Sequence, residues 1–169
     1  MSRQLPRKTK PPEKPKSWRH GLCECCEDPS LACSVCWCGC NATGQAYQRA
    51  TGSGCFWVSI LLWGLFILTQ FMNSTSSSLN ANIDVNDDTV SIVGGLAALF
   101  GLISTIATTY FVCTSRRIMR DRDEIPAGSC GGCDDCCVGW WCSCCALIQM
   151  FRQDSITGNR YRMCTEDAV

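Results

Sequence analysis

Cysteine is the residue that could do chemistry in this chain, with seventeen among 169 residues. Seven crowd into residues 18 to 40: Cys23, Cys25, Cys26, Cys33, Cys36, Cys38 and Cys40. Seven more fall between 130 and 145: Cys130, Cys133, Cys136, Cys137, Cys142, Cys144 and Cys145. Cys33 and Cys36, Cys130 and Cys133, and Cys133 and Cys136 have the C-x-x-C spacing by which one loop offers two thiolates to a tetrahedral ion. Thiolate is a soft ligand and selects zinc, copper(I) or cadmium-like ions over calcium or magnesium. His20 is the single imidazole in the chain, so such a site is almost all sulfur. The metal-ligand candidates are Cys33, Cys36, Cys38, Cys40, Cys130, Cys133, Cys136, Cys142, Cys144 and Cys145, and the implied cofactor is zinc or another thiophilic metal. Cys55 and Cys113 stand at the ends of apolar runs, where S-acylation or burial as small apolar side chains suits them better. The two blocks suggest related units, but their internal spacings differ, so the cysteines alone define no repeat.

The elements that must position these blocks are two apolar runs. Residues 56 to 72 read FWVSILLWGLFILTQFM, without a charge. Residues 90 to 112 are also uncharged. Both are long enough, or nearly so, to cross the hydrocarbon core, at about 1.5 Å per residue against about 30 Å. The fold class this predicts is an all-α membrane protein: a two-span transmembrane helical hairpin flanked by two cysteine-rich cytoplasmic segments. Ala97, Gly101, Thr105 and Thr109 form a row of small side chains. That row serves either packing against the first span or self-association.

The divisions are then a disordered basic Pro-rich tail over 1–17, the first Cys-rich segment over 18–55, spans over 56–72 and 90–112, an exoplasmic polar loop over 73–89, and a basic stretch with the second Cys-rich segment and C-terminal tail over 113–169. Net charge is zero, but the charges are sorted. Eight Lys or Arg precede residue 56, none lies in 73–89, and seven Arg follow residue 112. Arg116, Arg117, Arg120 and Arg122 sit just past the second run, so the positive-inside rule places both termini in the cytoplasm. A reducing cytoplasm disfavours a disulfide scaffold. The apolar stretch 138–151 is too short to span and reads as an interfacial helix.

No nucleophile motif, phosphate loop or framed carboxylate pair is present, so no enzyme is expected. The spans carry no charge to mark an ion path, and two helices cannot enclose a pore. Transport therefore implies a homo-oligomer, or a pore lining supplied by the cysteine segments. The expected partners are the lipid bilayer, a second copy, and proteins meeting the basic Pro-rich tail, with no nucleic acid.

Three stretches resemble the placenta-specific-gene-eight (onzin-like) cysteine-rich family. Trp18, Gly21, Leu22, Cys23 and Asp28 resemble its opening W-x-x-G-L-C…D. Cys36-Trp37-Cys38-Gly39-Cys40 with Gly44-Gln45 resembles its signature, except that Gly39 stands where a proline is usual. Cys144 to Arg152 resembles its closing C-C-A-L-x-Q-x-[YF]-R. The family includes plant cadmium-resistance proteins and cell-number regulators. The resemblance implies a plasma-membrane protein in divalent heavy-metal (zinc- or cadmium-like) transport or tolerance. The alternative it implies is a non-transporting adaptor or growth regulator held by acylation or structural zinc.

Overall fold

The computed structural model describes residues 17–81, 87–128 and 133–157. All regular elements there are helical. A 3-10 turn (Leu22–Glu27) leads into α1 (Pro29–Trp37), α2 (Gly39–Thr51), α3 (Cys55–Asn80), α4 (Asp87–Arg122), α5 (Asp134–Trp141) and α6 (Ser143–Gln153). The basic tail, Cys130 and the C-terminal residues from Gly158 onward lie outside the described residues.

The long helices contain the two apolar runs and outrun them. α3 continues through Asn80, so eight residues read as loop are helical. Serine and threonine hydroxyls there turn back onto the carbonyl four residues earlier, as Ser77 does to Asn73 at 3.0 Å, which lets a polar stretch stay helical. α4 continues past the basic cluster to Arg122. The two helices lie side by side with opposed directions. A Cβ at Gly94 would meet Ser76, and one at Gly101 would lie 3.8 Å from the Thr69 methyl. Half of the small-residue row, Ala97 and Gly101, thus faces the chain's own first apolar helix. The outer faces are different. Phe56, Trp57, Ile60, Ile67, Phe71, Ile92, Leu99, Leu102 and Tyr110 are all exposed. Only 11% and 6% of the most apolar windows are buried. Both helices are long and apolar enough to cross a membrane, and neither is the core helix of a soluble fold.

The remaining helices form a head around the lower part of α4. Its core joins Leu31 and Val35 of α1, Ala42 and Ala46 of α2, Val112 and Met119 of α4, and Ala146, Leu147, Met150 and Phe151 of α6. The stretch 138–151 is therefore not one interfacial helix. It is the end of α5, a break at Cys142, and α6, whose residues from Ala146 to Phe151 are buried. The apolar residues of α6 fill the head, whereas Trp140 and Trp141 at the end of α5 stay exposed.

Two glycines fix how the head meets the long helices. A Cβ at Gly44 would fall 2.8 Å from the Cys55 carbonyl and against Ser59, so α2 can approach α3 only without a side chain there. Gly54, at φ 100°, makes the reversal between them in a left-handed conformation that side chains resist.

The structure reveals a repeat that the cysteine spacing hid. Residues 33–49 match 137–153 without a gap: Cys33 with Cys137, Trp37 with Trp141, Cys38 with Cys142, Cys40 with Cys144, Ala42 with Ala146 and Gln45 with Gln149. Each unit is a helix broken at one cysteine. Cys38 (φ −116°, ψ 42°) separates α1 from α2, and Cys142 (φ −139°, ψ 51°) separates α5 from α6. Both breaks keep their hydrogen bonds, Cys38 N–H to Ser34 at 3.0 Å and Cys142 N–H to Val138 at 2.9 Å. The turn thus belongs to the cysteine, not to the residue after it. Gly39 and Ser143 follow equivalent breaks, so the missing proline at Gly39 leaves the turn intact.

Candidate thiol cluster

The two tryptophan–cysteine breaks bring the two blocks together. The 3-10 turn presents Cys25 and Cys26, α1 presents Cys36, and the start of α6 presents Cys142, Cys144 and Cys145. The Cys145 thiol lies 3.2 Å from Cys25, across 120 residues of sequence. Cys25 and Cys26 are 3.9 Å apart. Cys36 stands beside Cys144, and Cys142 beside Cys145.

Four candidates, Cys36, Cys142, Cys144 and Cys145, therefore gather in one place. Cys38 neighbours Cys40, which is half-buried. Cys33 and Cys133 are exposed and free. Cys130 lies outside the described residues. Cys113 and Cys136 form a disulfide with Cα atoms 4.9 Å apart. In this state Cys136 is no metal ligand and Cys113 no acylation site. The reason is local packing: α5 runs against α4 closely enough that a Cβ at Gly139 would sit 3.5 Å from the Thr109 carbonyl. Cys55 keeps a free thiol at the first residue of α3. The sequence pattern leaves Cys25 and Cys26 out of the ligand set: Cys23 and Cys26 do have C-x-x-C spacing, but only the fold brings Cys25 against Cys145. Contacts between blocks leave no mark in the spacing within either one.

Crowding sets the chemistry of these thiols. Burial, then the neighbouring Cys36, pushes Cys144 up to about 11. Burial, then Cys25, pushes Cys145 up to about 12. Cys26 is also raised, by Cys25. Cys144 and Cys145 are thereby held as neutral thiols at neutral pH, by burial first and then by the repulsion that neighbouring thiolates would exert, and Cys26 is raised in the same direction. A soft cation reverses that repulsion, displacing protons as it binds. The donor set fits such a cation in kind but not in spacing: sulfurs around a tetrahedral zinc with about 2.3 Å bonds lie about 3.8 Å apart, and among the described residues no three of these sulfurs lie within 4.8 Å of one another. Among the described residues, the group of three ligand atoms already within 4.8 Å of one another is His20, Glu24 and Glu27, on the rim of the head. His20 Nδ1 is 3.4 Å from Glu24 there.

A polar scaffold holds the cluster in place. Asp135, 2% exposed, receives Arg116 at 3.0 Å and Arg120 at 2.7 Å. Arg116 also donates to the Gln149 side-chain oxygen. Its guanidinium lies over the Trp18 ring, 4.4 Å from the centroid. The Gln149 amide donates to the His20 carbonyl at 2.6 Å. Arg152 donates to the Glu24 carbonyl and pairs with Glu27, both at 2.7 Å. Arg122 pairs with Asp123 at 2.8 Å and Asp154 at 2.7 Å. Three of the four arginines read as topology markers thus have structural work, and Arg117 remains exposed. The scaffold ties the segment bearing Cys25 and Cys26 to the helix bearing Cys144 and Cys145.

Two membrane-length helices carrying a head of paired broken helices, with thiols gathered between the pairs, define a class of small cysteine-rich helical proteins. The chain belongs to the PLAC8 family, whose model matches residues 18–153. It is similar to "Cell number regulator 7" of Zea mays, 25% identical over 137 residues that make up 80% of this chain and 56% of the relative. It is also similar to "Cell number regulator 9" of Zea mays, 25% identical over 80% of this chain and 57% of the relative. The chain thus spans little more than half the length of these relatives. No solved structure matches it. The motif residues quoted from the sequence are those that meet: Trp18 and Gln149 at Arg116, and Arg152 at Glu24.

Proposed function

We propose that this is a two-span membrane protein that binds thiophilic divalent cations, zinc- or cadmium-like, and takes part in their transport or tolerance as a homo-oligomer. The observation that carries the reading is the convergence of thiols from both blocks, with Cys145 3.2 Å from Cys25. The exposed apolar faces of α3 and α4 support insertion, since an apolar surface of this extent suits lipid rather than water. The loop without Lys or Arg and the exposed Arg117 support a cytoplasmic head, and a plasma-membrane location accords with the family resemblance. Cys25, Cys26, Cys36, Cys142, Cys144 and Cys145 would hold the cation, supplying soft anionic ligands once deprotonated.

The test is cadmium binding to the purified, reduced protein, measured by elemental analysis and by thiolate-to-metal charge-transfer absorption. Wild type is expected to retain metal. The double substitution Cys25→Ser with Cys145→Ser is expected to lower affinity by at least about tenfold, the effect of removing ligands rather than their supports. Wild-type protein without bound metal, or a variant that binds as tightly, overturns the reading. A second reading is favoured by the relatives' printed names: a membrane-held regulator of cell growth that recruits proteins, partly through its basic tail. It predicts unchanged metal tolerance in cells when the same two cysteines are replaced.

A further inference from the structure

The two broken helices form two tips, and their contacts fix the height of each along the long helices. The first tip rises along α3: Gly44 abuts Cys55 and Ser59, and further up Asn41 accepts a hydrogen bond from Trp63 Nε1 at 2.9 Å. The second rises along α4: Asp135 meets Arg120 and Arg116, Cys136 meets Cys113, and Gly139 meets Thr109. Trp140 and Ser143 then line a recess of about 210 Å³ with Ser104, Thr105 and Thr108. The pairings of Gly101 with Thr69 and Gly94 with Ser76 put Trp63 level with the same part of α4. Both tips therefore end at one height, about 12–18 Å up from Arg116 at about 1.5 Å per residue, beside the apolar runs.

The charges follow the same geometry. The first unit has none from Leu31 through Gln48, and the second none from Cys136 through Phe151. Glu27, Asp28 and Arg49 lie at the base of one, Asp135 and Arg152 at the base of the other. At the tips stand Trp37 and Trp141, 82% and 81% exposed. Two equivalent tryptophans, bare at charge-free tips beside an apolar belt, have the chemistry of residues that sit at a membrane interface.

We propose that the Trp37–Cys40 and Trp141–Cys144 breaks are paired wedges seated in one leaflet, with Trp37 and Trp141 in contact with lipid. The head is then partly sunk into the membrane rather than standing in water, and the thiol cluster opens at the interface. This rests on the reading of α3 and α4 as spans.

The test uses the full chain, labelled with 5-fluorotryptophan, in phosphatidylcholine nanodiscs. Fluorine resonances are assigned with Trp37→Phe and Trp141→Phe, or with Tyr at either site where Phe does not fold. The Trp37 and Trp141 signals are expected to be lost to a nitroxide carried on a lipid acyl chain and kept against a gadolinium chelate in water. Trp57 and Trp63 on α3 report the spans. If they too are untouched by the lipid nitroxide, the span reading itself has failed. If they respond while Trp37 and Trp141 respond to gadolinium instead, the wedges alone are overturned. Silence of Trp37 and Trp141 to both probes, as under a covering second copy, also overturns them.

Discussion

The two broken-helix units share a break but differ in the residues that face their neighbours. Leu31 and Asp135 occupy equivalent places, one fully buried among apolar neighbours, the other 2% exposed between two arginines. Gly44 and Ile148 also correspond. Gly44 lets α2 lie against α3, whereas Ile148 fills the head core. The same local fold is thus docked in two ways. The first unit holds to α3 by backbone proximity, and the second holds to α4 by buried charge and the Cys113–Cys136 disulfide. A repeat keeps the residues that shape its break and changes those that choose its neighbour.

The sharpest way to break this comparison is to make the second unit resemble the first. Asp135→Leu leaves Arg116 and Arg120 buried without their carboxylate, and stability is expected to fall by about 3–5 kcal/mol. The readout is denaturant unfolding followed by helix signal. A change below about 1 kcal/mol would mean that the pair is not what docks α5. Gly44→Ala attacks the other docking mode. It puts a methyl against Ser59 and the Cys55 carbonyl, at an expected cost of about 1–3 kcal/mol. Gly39→Ala meets nothing within 4 Å and is the matched control, expected within about 0.5 kcal/mol of wild type.

The smallest effect concerns the outer ion pairs of the second unit. The Arg122 guanidinium, with a further hydrogen bond from Gln153, holds Asp123 below its ordinary value of 3.8. A carboxylate depressed on folding adds stability above its unfolded pKa and loses it as pH falls through the folded one. Stability is therefore expected to drop with acid below about pH 4. Asp123→Asn should flatten that part of the profile, and an unchanged acid slope would remove Asp123 from the account.

Much of this architecture could be read from residue order. The uncharged runs lie within α3 and α4, as their length and composition predict. What stayed hidden depended on contacts between distant segments. Arg116 and Arg120 look like the end of a span, yet they continue α4 because Asp135 neutralises them from another helix. The 138–151 stretch looks like one interfacial helix by composition, yet its second half, Ala146 to Phe151, is head core because α1 and α2 arrive to cover it. The thiol cluster needed both: Cys25 and Cys145 meet only once the two blocks are folded onto the same helix. The repeat escaped notice because the matching cysteines, Cys38 with Cys142 and Cys40 with Cys144, are surrounded by others that do not match.

The unbroken course of α4 has a mechanical side. It is 36 residues long, so it is a rod of about 54 Å. Its upper part is apolar, while Met119 and Arg116 near its lower end are built into the head. A rod of that length tilted ten degrees about its middle swings each end by about 5 Å. Any tilt of α4 therefore moves Met119 and Arg116, and with them the head packing that includes Gln149 and Phe151. The head is geared to the angle of the rod that runs through it.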